Sequence, residues 1–151
     1  MQVQEVMTKK IVKIKKGTTL REAAKILIKN DITGAPVVNE KNKVIGLISE
    51  KNVFRALYPN YEEFYIDLDI IAKPNTLNDR LKNIVDLKVE NFMVRDVISA
   101  LPSDSLVKVG GIMMARGVHR VLVVDEKDTL LGVVSRRDIY PVVFKMLLNI
   151  K

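Results

Sequence analysis

The chain has no cysteine, no tryptophan and a single histidine among its 151 residues. Without cysteine there is no disulfide and no thiolate, which fits a reducing compartment. One histidine with no cysteine beside it leaves no metal-ligand set. A Gly-rich phosphate loop, a paired-carboxylate signature and a metal motif are all missing, so neither a catalytic residue nor a metal site is expected. Long apolar runs are missing as well: the longest hold about five residues, against the roughly 20 that a spanning helix requires. The start, Met1 to Glu5, lacks a charged segment followed by an apolar one, so no signal peptide is expected. These absences predict a cytoplasmic protein with no membrane partner and no enzymatic activity. Disulfides are not needed either, because a chain this long can bury roughly 70% of its unfolded surface.

What the chain does have is positive charge, a net +7. Such a balance attracts nucleic acid, membrane surfaces or phosphorylated small molecules, or simply confers solubility. Lys9, Lys10, Lys13, Lys15 and Lys16 crowd one stretch, and Arg21, Lys25 and Lys29 recur at i,i+4. A stripe of this kind repels itself unless an anion covers it. Nucleic acid is therefore one alternative partner. Against it, no nucleic-acid motif is present and no aromatics are interleaved with the basic residues to supply stacking.

The most informative stretch runs from Gly117 to Asp138. Val121 to Val124 is an apolar run of buried-strand type, Asp125 to Asp128 a polar turn, and Leu130 to Val134 a second apolar run. Together they read as a hairpin. Beyond Ser135, apolar residues at 139, 142, 143 and 146 have helical spacing. A shift of 86 residues then lays the first third of the chain on the last third without a gap. Met7 meets Met93, Leu20 meets Leu106, Val37-Val38 meet Val123-Val124, Gly46 meets Gly132 and Ser49 meets Ser135. Two repeats are too few for a solenoid, so a pseudo-symmetric pair is the natural reading.

Within the first repeat, alternation over Val12 to Lys15 predicts a half-buried strand. Thr18 or Thr19 caps a helix to about Asn30, with Glu22 as capping-box partner and Leu20, Ala23, Ala24, Leu27 and Ile28 as its buried stripe. Pro36, lacking an N–H, belongs at the start or edge of the next strand. Lys43 to Ile48 returns, and Ser49 opens a helix that ends near Tyr58-Pro59. From 59 to 88 the chain has no counterpart in the other repeat, and Thr76 is expected to cap a helix bearing Leu77, Leu81, Ile84 and Val85. The segment is too apolar to be a flexible linker. In the second repeat a strand is expected over Val97 to Ala100 and a helix to about Arg116. Gly110-Gly111 in that helix costs about 1 kcal/mol per glycine relative to Ala. Close helix–helix approach, across a dimer and with Met113 and Met114 filling the gap, would compensate.

These pieces resemble the CBS domain, a module of about 60 residues that occurs in tandem pairs. The resemblance is carried by Val6-Met7-Thr8 and Phe92-Met93-Val94, and by the segments Ile32 to Val38 and Val118 to Asp125. The ends match too, Gly46 to Asn52 and Gly132 to Asp138. It covers roughly residues 3–58 and 89–148, twice in order at one offset. The resemblance implies an α+β fold of two βαββα repeats packed as a pseudo-two-fold pair, with domains at 1–58 and 89–151 and a helical connector at 59–88. It further implies clefts between repeats for AMP, ADP, ATP or S-adenosylmethionine, with no cofactor required. A homodimer and a regulated partner protein are part of the same expectation. With no enzyme attached, this would be a stand-alone member of prokaryotic or archaeal type.

In that family the Asp of the Gly-x-x-Ser/Thr-x-x-Asp motif binds ribose hydroxyls. Asp138 holds that position here, and an ionised carboxylate accepts both protons of a cis-diol. Ser135 at a helix N-terminus would meet the phosphate, with Arg137 adding charge. The same Ser-x-x-Asp is also a plain capping box; the resemblance turns the reading toward binding. His119-Arg120 matches a pair that reaches phosphates in nucleotide-binding members, and Arg can hold a phosphate bidentately. In the first repeat Ser49 is kept, but Asn52 stands for the Asp and Thr33-Gly34 for the basic pair. Unequal sites follow, the one at Asp138 stronger. Base contacts are expected near Val12 to Ile14, Ile98 to Ala100, Ile32 and Val118. The fallback is a structural subunit with empty clefts.

Overall fold

A computed structural model describes residues 1–57, 79 and 82–151 of the chain. Each repeat forms a three-stranded sheet with two helices. In the first, β1 (Ile14–Lys15), α1 (Leu20–Lys29), β2 (Gly34–Val38), β3 (Val44–Ser49) and α2 (Glu50–Leu57) follow in order. The second gives β4 (Ser99–Ala100), α3 (Leu106–Arg116), β5 (Arg120–Val124), β6 (Leu130–Ser135) and α4 (Arg136–Leu147). The βαββα order of both repeats and the α+β class are as expected from sequence. Thr76, Leu77 and Leu81 of the connector lie outside the described residues, as do Tyr58 and Pro59; residues 82–84 are helical.

The compact units interleave along the chain. One comprises Val12–Glu40 and Ile45–Asp96, the other Met1–Ile11, Lys41–Val44 and Val97–Lys151. In the first-repeat unit the sheet order is β1-β2-β3, with Ile14 beside Val37 and Lys15 beside Val38 in parallel register. Ile14, Ala23, Leu27, Ala35, Val37 and Ile48 form the core, and Val89 and Met93 complete it. The Thr19 hydroxyl caps α1 by accepting the Glu22 N–H at 3.2 Å, and the Asn30 amide closes it on the Ile26 carbonyl at 2.8 Å. The Glu22 carboxylate, expected to complete a capping box, instead takes the Lys25 ammonium at 3.3 Å. Leu20, Ala23 and Leu27 are buried, but Ile28 is 80% exposed, against expectation. Pro36 also departs from expectation, lying mid-strand and buried in the central strand. β1 is only two residues long and registers against Val37 and Val38 alone, so the β1 flank at Pro36 has no ladder to interrupt.

In the second-repeat unit β4 runs parallel to β5, and β5 antiparallel to β6. Leu106, Val109, Met113, Val121, Val123, Val134 and Ile139 build a core into which Val3 is fully sunk. Asp125 closes the β5–β6 turn, accepting the N–H groups of Lys127 and Thr129 at 2.9 Å each. Gly110 explains itself within this unit: a Cβ there would stand 3.2 Å from Ile139 Cγ2, so the glycine lets α3 approach α4. The close approach expected across a dimer is thus made inside the unit at Gly110. Among the described residues no heavy atom lies within 4 Å of where a Cβ on Gly111 would stand, and in the single chain Met114 is 75% exposed while Met113 is buried. Met146 is likewise exposed, while Ile139 is buried and Val142 and Val143 partly so.

Each core is closed by a segment from the far side of the repeat offset. Thr8 and Val133 exchange backbone hydrogen bonds of 2.9 Å in the second-repeat unit. Val94 and Leu47 do the same in the first, at 2.8 and 2.9 Å. The crossing passes over a glycine in both. A Cβ on Gly132 would lie 2.8 Å from Met7 Sδ and 3.0 Å from the Thr8 carbonyl oxygen; on Gly46 it would lie 2.9 Å from the Val94 carbonyl oxygen. Gly132→Ala should therefore destabilise the protein by about 1–3 kcal/mol, the usual range for overpacking, measured by urea unfolding.

A second expectation concerns acid. The Lys108 ammonium, 2.6 Å from Asp104, and then the Leu101 N–H at 2.9 Å hold the Asp104 carboxyl below its usual range. A depressed carboxylate contributes stability that is present above its unfolded pKa and is lost as pH falls through the folded value. Unfolding measured from about pH 6 down to about pH 2 should show this loss in wild type and a flatter profile in Asp104→Asn.

Candidate ligand-binding site at the second hairpin

Antiparallel register sets Arg120, the first residue of β5, directly beside Ser135, the last of β6. Val121, Val123 and Val134 turn into the helix-covered core. Alternation therefore puts Arg120 and Ser135 together on the opposite face of the sheet. Ser135 is the N-cap of α4, and Asp138 lies one turn in. The Asp138 Oδ2 accepts both the Ser135 N–H and the Ser135 hydroxyl, each at 2.7 Å. Among the described residues Asp138 Oδ1 accepts no hydrogen bond. The capping box and the candidate ribose acceptor are thus one carboxylate: one oxygen holds the helix, the other is left over. Ser135 commits its N–H and hydroxyl to that carboxylate.

The first repeat copies the geometry with one chemical change. Asn52 Oδ1 accepts the Ser49 N–H and the Ser49 hydroxyl at 2.9 Å each. The Ser49 N–H requires an acceptor, so the amide oxygen is committed and the NH2 is the end left over. An Asp-to-Asn exchange therefore reverses the polarity offered to a ligand, from acceptor to donor.

The remaining candidates divide. His119 is exposed, and its Nε2 lies 3.3 Å from a guanidinium nitrogen of Arg136. Arg136 Nε also donates to the Val118 carbonyl at 3.3 Å, and its backbone N–H to the His119 carbonyl at 3.0 Å. The sequence motif points to Arg137, which is exposed, and passes over Arg136, which is anchored. A signal for Arg136 exists, because the residue after an N-cap lies against whatever precedes the neighbouring strand. Glu50 takes that place in the first repeat, its N–H donating to the Thr33 carbonyl at 2.9 Å. Of the segments expected to touch a base, Ile14 and Ala100 are consumed by the two cores, while Ile32, Ile98 and Val118 pack at their edges.

Charge separates the two places. The hairpin and helix start that carry Asp138 also carry Arg120, Arg136, Arg137 and His119; the matching positions in the first repeat hold Gly34, Glu50, Lys51 and Thr33. An anion favours the first. The basic stripe on α1 carries its own counter-charges, Arg21 lying 4.0 Å from Asp86 and Lys25 3.3 Å from Glu22. Among the described residues no cluster of three His, Asp or Glu could hold a metal, and no helix is long and apolar enough to cross a membrane.

Comparison with known proteins adds the following. The CBS-domain family model matches residues 3–59 and 89–144. An uncharacterized protein of Methanocaldococcus jannaschii is 30% identical over 150 residues, covering 92% of this chain and 89% of its own. The solved CBS domain pair in complex with 5′-methylthioadenosine and S-adenosyl-L-methionine is 25% identical, with a TM-score of 0.65, covering 95% of this chain and 99% of that one. CBSX2, solved in complex with AMP, is 19% identical with a TM-score of 0.71, covering 96% of this chain and 97% of that one.

Proposed function

The chain belongs to the CBS-domain family, and from that premise we propose that it is a regulatory sensor of an adenine nucleotide of the AMP, ADP or ATP class. The observation that carries the reading is Asp138 Oδ1, which accepts no hydrogen bond among the described residues, beside the hairpin where Arg120 stands next to Ser135. Oδ1 accepts the ribose hydroxyl protons. Arg120 and the positive end of α4 draw the phosphate, and His119 and Arg137 add charge at longer range. The basic residues His119, Arg120, Arg136 and Arg137 on this hairpin and helix start favour an anionic nucleotide over S-adenosylmethionine, whose sulfonium is positive. The same fold holds AMP in CBSX2 and 5′-methylthioadenosine with S-adenosyl-L-methionine in another pair. The Asn52 place, offering donors and carrying no net charge, binds weakly or selects differently.

In this reading the protein is a cytoplasmic homodimer that transmits occupancy to a regulated partner protein. Ligand binding shifts the relation between repeats only as far as the ligand prefers one state over another. The module binds and signals; catalysis is not part of it.

The test is a thermal-shift and calorimetric panel of AMP, ADP, ATP and S-adenosylmethionine on wild type and Asp138→Asn. A ligand at 100 times its dissociation constant adds about 2.7 kcal/mol, which raises Tm by roughly 5–10 °C in a chain of this size. The amide introduced by this substitution would keep the cap as Asn52 does, so the unliganded variant should melt within about 2 °C of wild type, a surface-scale change. Its affinity should fall roughly tenfold to a hundredfold, the loss of a charge-assisted acceptor. Equal affinity in the variant would sink the site; no shift with any of the four compounds would sink the sensor.

A further inference from the structure

Between Glu5 and Glu22 the chain has no acidic residue, but it has Lys9, Lys10, Lys13, Lys15, Lys16 and Arg21. The repeat offset supplies an internal control for this run. Lys10, Lys13, Lys15, Lys16 and Arg21 fall on Asp96, Ser99, Leu101, Pro102 and Val107; Lys9 alone meets a cation, Arg95. β4 nevertheless pairs with β5 in the same parallel sense as β1 with β2, so the fold does not require the charge. Tertiary contacts add Lys88 to the cluster. Thr19 bridges Lys88, and the Val89 N–H donates to the Thr18 carbonyl at 2.7 Å, which sets Lys88 beside the Lys15–Thr18 turn. Its counterpart is the neutral Gln2, which bridges Ser105 in the same way. Glu90, the carboxylate of this segment, accepts the Gly17 N–H at 2.7 Å. Lys9, Lys10, Lys15, Lys16 and Lys88 are exposed, and none of them forms an ion pair among the described residues. Arg21 and Lys25 on α1 differ in this respect, since they face Asp86 and Glu22.

Like charges crowded together oppose the compact state, and the second repeat forms the same turn without them. Solubility calls for charge but not for its concentration around one turn. We propose that this lysine cluster is a docking surface for the phosphate backbone of a nucleic-acid duplex, bound without regard to sequence. Backbone recognition needs no base-reading motif, because lysines neutralise phosphates and release their counterions. A duplex suits the surface better than a single strand, whose unpaired bases call for aromatic platforms. No residue from 9 to 16 is aromatic. A membrane suits it less well, because the apolar side chains between the lysines are withdrawn. Ile14 is fully buried and Ile11 and Val12 are half-buried, which leaves none to enter a headgroup layer. The surface shares no residue with the nucleotide site proposed at Asp138, and so goes beyond that reading.

The experiment is fluorescence anisotropy of a labelled DNA duplex across a salt series, using the full chain and a thermal melt of each variant. The cluster variant is Lys15→Gln/Lys16→Gln/Lys88→Gln. A control, Lys127→Gln/Lys145→Gln/Lys151→Gln, removes the same charge from exposed positions of the second-repeat unit. For wild type, log affinity should fall against log salt with a slope of about −3 to −5, each neutralised phosphate contributing about −0.9. The cluster variant should bind at least ~10-fold more weakly at low salt, with a slope flatter by about 3, one for each lysine removed. The control should stay within about 3-fold of wild type, being a change in overall charge alone. Lys9→Gln/Lys10→Gln, outside the strands, should flatten the slope by about 2 and keeps the test open if the cluster variant misfolds. No binding by wild type at low salt overturns the inference, as does a control weakened as much as the cluster variant. Tighter binding of a single strand of equal length, or equal binding of phosphatidylserine-containing vesicles, overturns it too.

Discussion

Everything in this molecule depends on the reciprocal crossing of Thr8 over Val133 and of Val94 over Leu47. A βαββα unit has a sheet with helices on one side only, and its core is open at one end. Val3 and Met7 close one such end, Val89 and Met93 the other. Backbone hydrogen bonds fix the depth of each insertion, and Gly46 and Gly132 are small because the inserted backbone passes directly over them. The two glycines and the two methionines that match across the repeat offset are thus one device used twice.

A similar double use governs the candidate site. A helix that follows a strand without a loop must satisfy its first N–H groups at once, and Ser-x-x-Asp does so with a single carboxylate. The cap takes one oxygen and fixes the other in place, so the binding group is held rigid by the bond that starts the helix. Asn performs the structural half of this task equally well. That is why the first repeat keeps its fold while offering a ligand a different face. Fold and recognition can drift apart at this position because they use different atoms of one side chain.

Much of this was legible in the sequence. Thr19 and Ser105 each precede an apolar stripe of helical period, and the runs 121–124 and 130–134 flank a polar turn, so the helices and the second hairpin follow from local chemistry. The Ser135–Asp138 pair was legible for the same reason, its spacing being that of one helical turn. Other features were not, because periodicity reports that a face is apolar without saying what covers it. Ile28 satisfies the helical stripe as well as Leu27 does, yet lies on the far edge of α1. Pro36 tolerates a central strand only because β1 is two residues long, and strand length is set by tertiary pairing. Arg136 and Arg137 look alike in sequence; only the register of β5 against β6 decides which one reaches the Val118 carbonyl. The exchange of closing segments was hidden too. A repeat shows that Met7 and Met93 are equivalent, not which core each of them enters.

The closing segment has a temporal consequence during synthesis. The first sheet and its two helices are synthesised before Val89 and Met93, so that core stays open at one end until the start of the second repeat has been made. Met7 and Thr8 wait longer still, since their partner strand, β6, is made after the other strands of both sheets. Contacts that join such distant points of the chain are slow to form, because the closure entropy is lost before the contact is gained. The nascent chain therefore carries a half-built, apolar unit until residues 89–93 are made, and the second unit is completed only once β6 is available.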